Sequence, residues 1–254
     1  MTSLTMSAIV FGCILGGTLL GFLLRAILPG HHLSGETKDV VKLGMGLIGT
    51  MSALVLGLLV AGAKSSFDAQ GNGVALLAGK VMYLDRLLAR YGPEAKGVRQ
   101  TLHDSIEDML HRTWPETGSA GGRGKASEST EGQYEGIFDQ LQALSPTTEA
   151  QKSLKAGALK VMSDMAEARW ALLAQRGNGI SVPFLVVLAC WMAIVFASFS
   201  LFAPSNVTVF ATFVLCALVV ASTIFIILEM DHPFDGLLRV SSEPLQKALA
   251  QLGR

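Results

Sequence analysis

Four stretches of this chain, residues 1–24, 43–63, 180–203 and 207–228, carry no charged side chain. A bilayer core of roughly 30 Å takes about 20 apolar residues as helix, so each stretch is long enough to cross. Arg25 ends the first, Lys42 and Lys64 bracket the second, and Glu229 closes the fourth. The fourth is rich in Val, Ile, Phe and Thr, poor helix formers in water, but in lipid only a helix satisfies its own backbone hydrogen bonds. No Lys or Arg precedes the first stretch, so it is read as a span and not as a cleaved signal peptide. The expected fold is all-α and integral to the membrane. A transmembrane hairpin over 4–63 and a second over 180–228 flank a cytoplasmic helical domain at 64–179, and a cytoplasmic C-terminal segment follows at 229–254.

Charged residues make up 16% of the 254, against about 25% in ordinary soluble domains, and the deficit is confined to those four stretches. The formal net charge is zero, so no nucleic-acid partner is expected. Cys13, Cys190 and Cys216 all lie in apolar stretches and read as buried free thiols without a disulfide framework. Lys64, Lys80, Lys160, Arg169 and Arg176 between spans two and three, with Arg239 and Lys247 in the tail, outweigh Arg25, Lys38 and Lys42 between spans one and two. The loop around Pro204 has no positive charge. The positive-inside rule therefore places both termini and the central domain in the cytoplasm.

Gly49, Ala53, Gly57 and Ala61 recur every four residues along span two and make a smooth stripe for close helix approach. Together with Leu56 they are the candidates for pore lining or helix packing. Gly12 with Gly16 and Gly17 with Gly21 repeat the spacing in span one, as do Ala189, Ala193 and Ala197 in span three. Such stripes serve packing within one protomer, or packing of span two around the axis of an oligomer. No Asp, Glu, Lys, Arg or His lies within a span, which argues against proton-coupled pumps, voltage sensors and ion-coupled solute transporters. A pore with an apolar constriction and a non-conducting membrane protein both remain.

Between the hairpins, Val74, Leu77, Val81, Leu84, Leu88 and Tyr91 step by three and four, one helical stripe. Gly92-Pro93 stops that helix and starts the next, with Val98, Leu102, Ile106 and Met109 on one face. Residues 115–132 are rich in Gly and Ser and read as a flexible loop. A short helix is expected around 134–144, with Ser145-Pro146 as cap and first position of the last helix. That helix carries Leu154, Ala158, Val161, Met165, Ala168 and Leu172, and Gly177-Asn178-Gly179 separates it from span three. The stripes read as a bundle core. Asp85 and Arg86, beside the first stripe, are candidates for a buried ion pair. His103, Asp104, Glu107, Asp108 and His111 form a polar face on the second helix, read as solvated, since spacing supplies no third metal ligand. No nucleotide-cradling loop, G-x-S-x-G or H-E-x-x-H occurs, so no enzyme, cofactor or metal is expected.

The exit from span four reads Glu229-Met230-Asp231-His232-Pro233-Phe234-Asp235-Gly236. Proline breaks the helix and leaves Glu229, Asp231 and Asp235 beside the membrane. The segment is either a capped helix end with a tight turn or a collar for gating or cation sensing, with Pro233 and Phe234 at its turn. Leu245, Leu249 and Leu252 then mark a short amphipathic helix entered through Ser242 and Pro244. Residues 229–249, with 64–70, 84–95 and the layout of two spans, helices and two spans, resemble a bacterial family of four-span membrane proteins of unknown function, the bestrophin-like family. The resemblance implies a pentameric ion channel, mostly for anions, with a cytoplasmic helical domain and a pore narrowed by apolar side chains of span two. Span two offers Leu54, Leu56, Leu58 and Leu59 for that role. In the eukaryotic relatives an Asn-Pro-Phe turn precedes an acidic, calcium-clasping run. Here Pro233-Phe234 matches, His232 stands for asparagine and only Asp235 follows, so calcium gating is not implied. The other class open to such a chain is a non-conducting scaffold or sensor that binds a partner through its cytoplasmic helices.

Overall fold

The computed structural model describes residues 2–29, 35–114, 126–175, 182–234 and 236–252, without the side chains of 36, 126–133, 172–175 and 182. Its helices are α1 (Ser3–Ile27), α2 (Gly35–Tyr91), α3 (Lys96–Thr113), α4 (Ala126–Ala143), α5 (Glu149–Gln175), α6 (Val182–Phe202), α7 (Val207–Met230) and α8 (Glu243–Gln251). No strand occurs among the described residues. Four of the helices, α1, α2, α6 and α7, are long and apolar enough to cross a membrane, and they coincide with the four charge-free stretches. The chain divides into two compact units, one of residues 1–67 and 178–238, the other of 68–177 and 239–254.

In the first unit α1 packs against α6 and α7. Its core joins Val10 and Ile14 of α1, Leu185, Leu188 and Met192 of α6, and Ala217, Ile224 and Leu228 of α7. Close approach is obligatory at two places. A Cβ on Gly17 would overlap the Ala193 carbonyl oxygen, and one on Gly21 would overlap the Ala197 carbonyl oxygen and the Ser200 hydroxyl. Both sets of numbers rise together, so α1 and α6 run parallel. Gly17 and Gly21 of α1 and Ala193 and Ala197 of α6 thus serve one joint inside the protomer, whereas a Cβ on Gly12 or Gly16 would meet nothing within 4 Å. Hydroxyls in this apolar setting turn back to their own helix: Thr18 Oγ1 donates to the Ile14 carbonyl at 3.0 Å and Ser200 Oγ to the Ala197 carbonyl at 3.0 Å.

The second unit is a helical bundle whose core holds Val74, Val81, Leu84, Leu88, Val98, Leu102, Ile106, Leu141, Val161 and Met165. The predicted stripes supply most of it, with Leu110 buried where the sequence suggested Met109. Gly92, at φ +130°, takes the left-handed conformation that stops α2, and Pro93–Ala95 follows as a 3-10 turn. Gln151 Nε2 donates to the Tyr91 carbonyl at 3.1 Å, which satisfies one of the carbonyls that a helix end leaves over. Lys80 reaches Asp164 at 3.1 Å, and Tyr134 donates to the Met162 carbonyl at 3.0 Å.

Four local expectations need correction. Cys13, Cys190 and Cys216 are exposed on the protomer, not buried, because an apolar side chain on a membrane helix can face outward as well as into the core. Helix α5 starts at Glu149 and is capped by Thr148, not by Ser145: the Thr148 hydroxyl accepts the Gln151 amide at 3.1 Å, and Gln151 Oε1 accepts the Thr148 amide at 3.3 Å. That reciprocal box satisfies two donors, whereas Ser145-Pro146 offers one. Helix α4 reaches back to Ala126, so residues 126–132 of the expected loop are helical, and 115–125 lie outside the described residues, as does Gly177-Asn178-Gly179. The C-terminal segment is not one piece. Residues 229–238 belong with the first unit, and from Arg239 onward with the second, where α8 packs on α3 and Trp114 Nε1 donates to the Val240 carbonyl at 2.8 Å.

Candidate functional site

Helix α2 presents two different faces within the first unit. Val55, Leu56 and Leu59 pack against the core shared by α1, α6 and α7. Leu56, Leu59, Val60 and Phe67 pack around Ala63, Ile227 and Met230. The remaining circumference is open. Leu43 is 78% exposed, Leu54 66% and Leu58 65%. The small-residue stripe lies along the boundary of this open face: Ala53, Gly57 and Ala61 are exposed, Gly49 is half-buried, and a Cβ on Gly49 or Gly57 would meet nothing within 4 Å. Leu56 turns inward, away from Ala53 and Gly57. Among the described residues the stripe is therefore unoccupied within the protomer, in contrast to Gly17 and Gly21 of α1.

The exit from α7 is built around one carboxylate. Glu229 is buried, and its Oε2 accepts the Leu237 amide at 2.6 Å, a charge-assisted bond eight residues across the turn. Gly236, at φ +113°, lies so close that an added Cβ would stand 2.5 Å from Glu229 Oε2. The His232 amide donates to the Glu229 carbonyl at 3.2 Å, and His232 Nδ1 stands 3.0 Å from the Leu228 carbonyl oxygen. Pro233 is buried, Phe234 and Asp231 are half-buried, and Asp235 lies outside the described residues. Chemically the segment is a clamped turn at the end of a membrane helix. Its proline and Glu229 were visible in sequence. The Leu237 amide that Glu229 holds was not, although Gly236, a glycine where the chain reverses, was the available signal.

Among the described residues one group of possible metal ligands gathers, His103, Asp104 and Glu107 on α3. His103 Nδ1 lies 3.5 Å from Asp104 Oδ1 and 4.0 Å from Glu107 Oε2, and both carboxylates are exposed. His111 is not part of it. His103 is half-buried with its Nδ1 shielded from solvent. The buried ion pair exists, but with another partner: Asp85, 5% exposed, receives Arg99 Nε at 2.7 Å and Nη2 at 2.9 Å, while Arg86 is exposed. The hydrogen bond to Asp85 holds the Arg99 guanidinium above its usual pKa, against the opposing cost of burial.

Compared with known proteins, the chain matches the family model described as Bestrophin-like domain over residues 12–245. No curated protein and no solved structure matches it.

Proposed function

The chain belongs to the bestrophin-like family, and on that premise we propose that it assembles as a homo-oligomer around α2 and conducts small inorganic ions, anions by preference. The observation that carries this reading is the open face of α2, with its unoccupied small-residue stripe. Gly49, Ala53, Gly57 and Ala61 suit contact with the α2 of a neighbouring copy. Of the four leucines suggested for a constriction, Leu56 and Leu59 are used in the protomer core, which leaves Leu54 and Leu58 to narrow an axial path. Five subunits are the arrangement the resemblance implies. The distribution of Lys and Arg supports cytoplasmic termini and a cytoplasmic helical unit in a bacterial inner membrane. In this reading the turn of Glu229, Asp231, Pro233, Phe234 and Asp235 is the gating or cation-sensing collar, with Glu229 fixing its shape.

The test is current across a planar bilayer holding the purified protein under asymmetric potassium chloride. Discrete openings absent from empty vesicles, with a reversal potential on the chloride side, support the channel. Silence from folded, inserted protein with calcium tried on both faces supports the second reading, a scaffold or sensor. That reading has its own observation: Leu76, Tyr83 and Trp170 stand exposed on the helical unit, at 55%, 56% and 62%. Large apolar groups of this kind on a polar surface suit a partner protein.

A further inference from the structure

A cleft of about 210 Å³ lies between the first turns of α2 and the last turns of α6, lined by Lys38, Val41, Lys42, Met45, Phe199 and Phe202 among others. Lys42 is the last charge before the apolar stretch of α2, and Phe202 is the last residue of α6. The cleft therefore sits where the hydrocarbon ends and the headgroups begin. Its two halves differ in kind. Lys38 and Lys42, one turn apart, carry the charge, while Met45, Phe199 and Phe202 supply apolar walls toward the bilayer interior. Neither lysine has an ion-pair partner among the described residues, and Asp39, the acid beside them, is exposed and does not line the cleft. Because α1 runs parallel to α6, Arg25 in the last turn of α1 comes to the same boundary, and its Nη1 is buried without a hydrogen-bond partner.

We propose that this cleft binds an anionic phospholipid, with the phosphate between Lys38 and Lys42 and an acyl chain along Met45, Phe199 and Phe202. A basic pocket between membrane helices holds anionic headgroups by charge and hydrogen bonding. The ammonium groups reach the phosphate while their methylene stems stay against the aromatic wall. A free anion would gain nothing from Phe199 and Phe202, and a zwitterionic phospholipid, whose own cation offsets its phosphate, would gain less from the lysines than an anionic one. Of the ligands at this depth, an anionic lipid alone uses both halves in full. The cleft holds a part of such a lipid, and the rest of the chain lies in the bilayer. The site does not depend on whether the protein conducts.

Native mass spectrometry of the intact protein in mild detergent, titrated with phosphatidylglycerol or with phosphatidylcholine of the same acyl chains, tests this. The wild type should retain phosphatidylglycerol preferentially. The Lys38→Gln, Lys42→Gln double variant should lose about thirtyfold in that affinity, roughly fivefold for each lysine. The Lys38→Arg, Lys42→Arg variant should keep it. Equal retention of the two lipids by the wild type overturns the proposal whatever the variants do. So does full displacement of phosphatidylglycerol by millimolar inorganic phosphate, which would make the cleft a free-anion site. A smaller oligomer in the Gln variant with unchanged lipid retention also overturns it and assigns the cleft to a second copy.

Discussion

At Gly21 an added methyl would occupy the place of the Ala197 carbonyl oxygen and the Ser200 hydroxyl, while at Gly57 nothing lies within 4 Å. The Ser200 hydroxyl can rotate away, but the Ala197 carbonyl is backbone and cannot swing aside. Gly21→Ala should therefore force α1 from α6 and destabilise the protein by about 1–3 kcal/mol, the usual range for overpacking. Gly57→Ala should change monomer stability by less than about 0.5 kcal/mol. Thermal unfolding of both variants in the same detergent checks the contrast, and equal midpoints would refute the parallel joint. A comparable argument holds at the exit of α7. Gly236→Ala adds a Cβ to a residue at φ +113° and sets it against Glu229 Oε2, so it should cost about 1–3 kcal/mol locally. Glu229→Gln keeps an acceptor but removes the charge from the 2.6 Å bond to Leu237, a loss of about 1 kcal/mol. Both variants should speed hydrogen exchange at the Leu237 amide. Unchanged protection would mean that something other than Glu229 closes the turn.

Helix positions in this chain follow from periodicity, and their ends and partners do not. The stripe from Val74 to Tyr91 predicted a buried face because steps of three and four survive any detail of context, and the membrane windows were plain because lipid excludes charge. The partner of Asp85 was hidden. Arg99 lies beyond the Gly92 reversal, and the direction in which that turn sends α3 is not written in residue spacing, so adjacent Arg86 was the nearer guess. Truncating Asp85 to Ala should cost about 1–3 kcal/mol, since it removes both charge-assisted hydrogen bonds from the half-buried Arg99 guanidinium. The start of α5 was misplaced because Ser145-Pro146 has the form of a cap, whereas the capping box needs Gln151 three residues after Thr148. Thr148→Ala should lower the stability of the helical unit by about 1 kcal/mol, and Ser145→Ala should not. Among these elements α4 also carries a pH dependence. Burial pushes the Tyr134 phenol well above its usual range, although nearby Arg169 pulls it down. The folded phenol stays neutral where the unfolded one ionises, so stability is complete below about pH 10 and falls as pH rises beyond it. Tyr134→Phe should abolish that alkaline loss in thermal melts, at the expense of about 1 kcal/mol at neutral pH for the hydrogen bond to the Met162 carbonyl.

For the proposed assembly the decisive contrast lies among leucines of one helix. Leu54 and Leu58 point away from the protomer core, and Leu56 points into it. If copies meet through the stripe of Ala53, Gly57 and Ala61, the neighbouring open face with Leu54 and Leu58 turns toward the axis. An apolar ring there resists ion passage by excluding water. Replacing Leu54 and Leu58 with serine should then lower that barrier and raise single-channel current, with the oligomer mass unchanged. Leu56→Ser should do the opposite in kind. It removes a side chain packed on both apolar clusters of the first unit, so it should lower the unfolding temperature, with no gain in current. Gly57→Leu, which is open inside the protomer, should act only between copies and reduce the oligomer mass measured by light scattering. These three results separate an axial α2 from a lipid-facing one. If the leucine-to-serine pair leaves the current unchanged while Leu56→Ser raises it, the inward face of α2 lines the ion path and the assignment of faces is reversed. If Gly57→Leu leaves the mass unchanged, the stripe faces lipid, and an oligomer must be held by another surface.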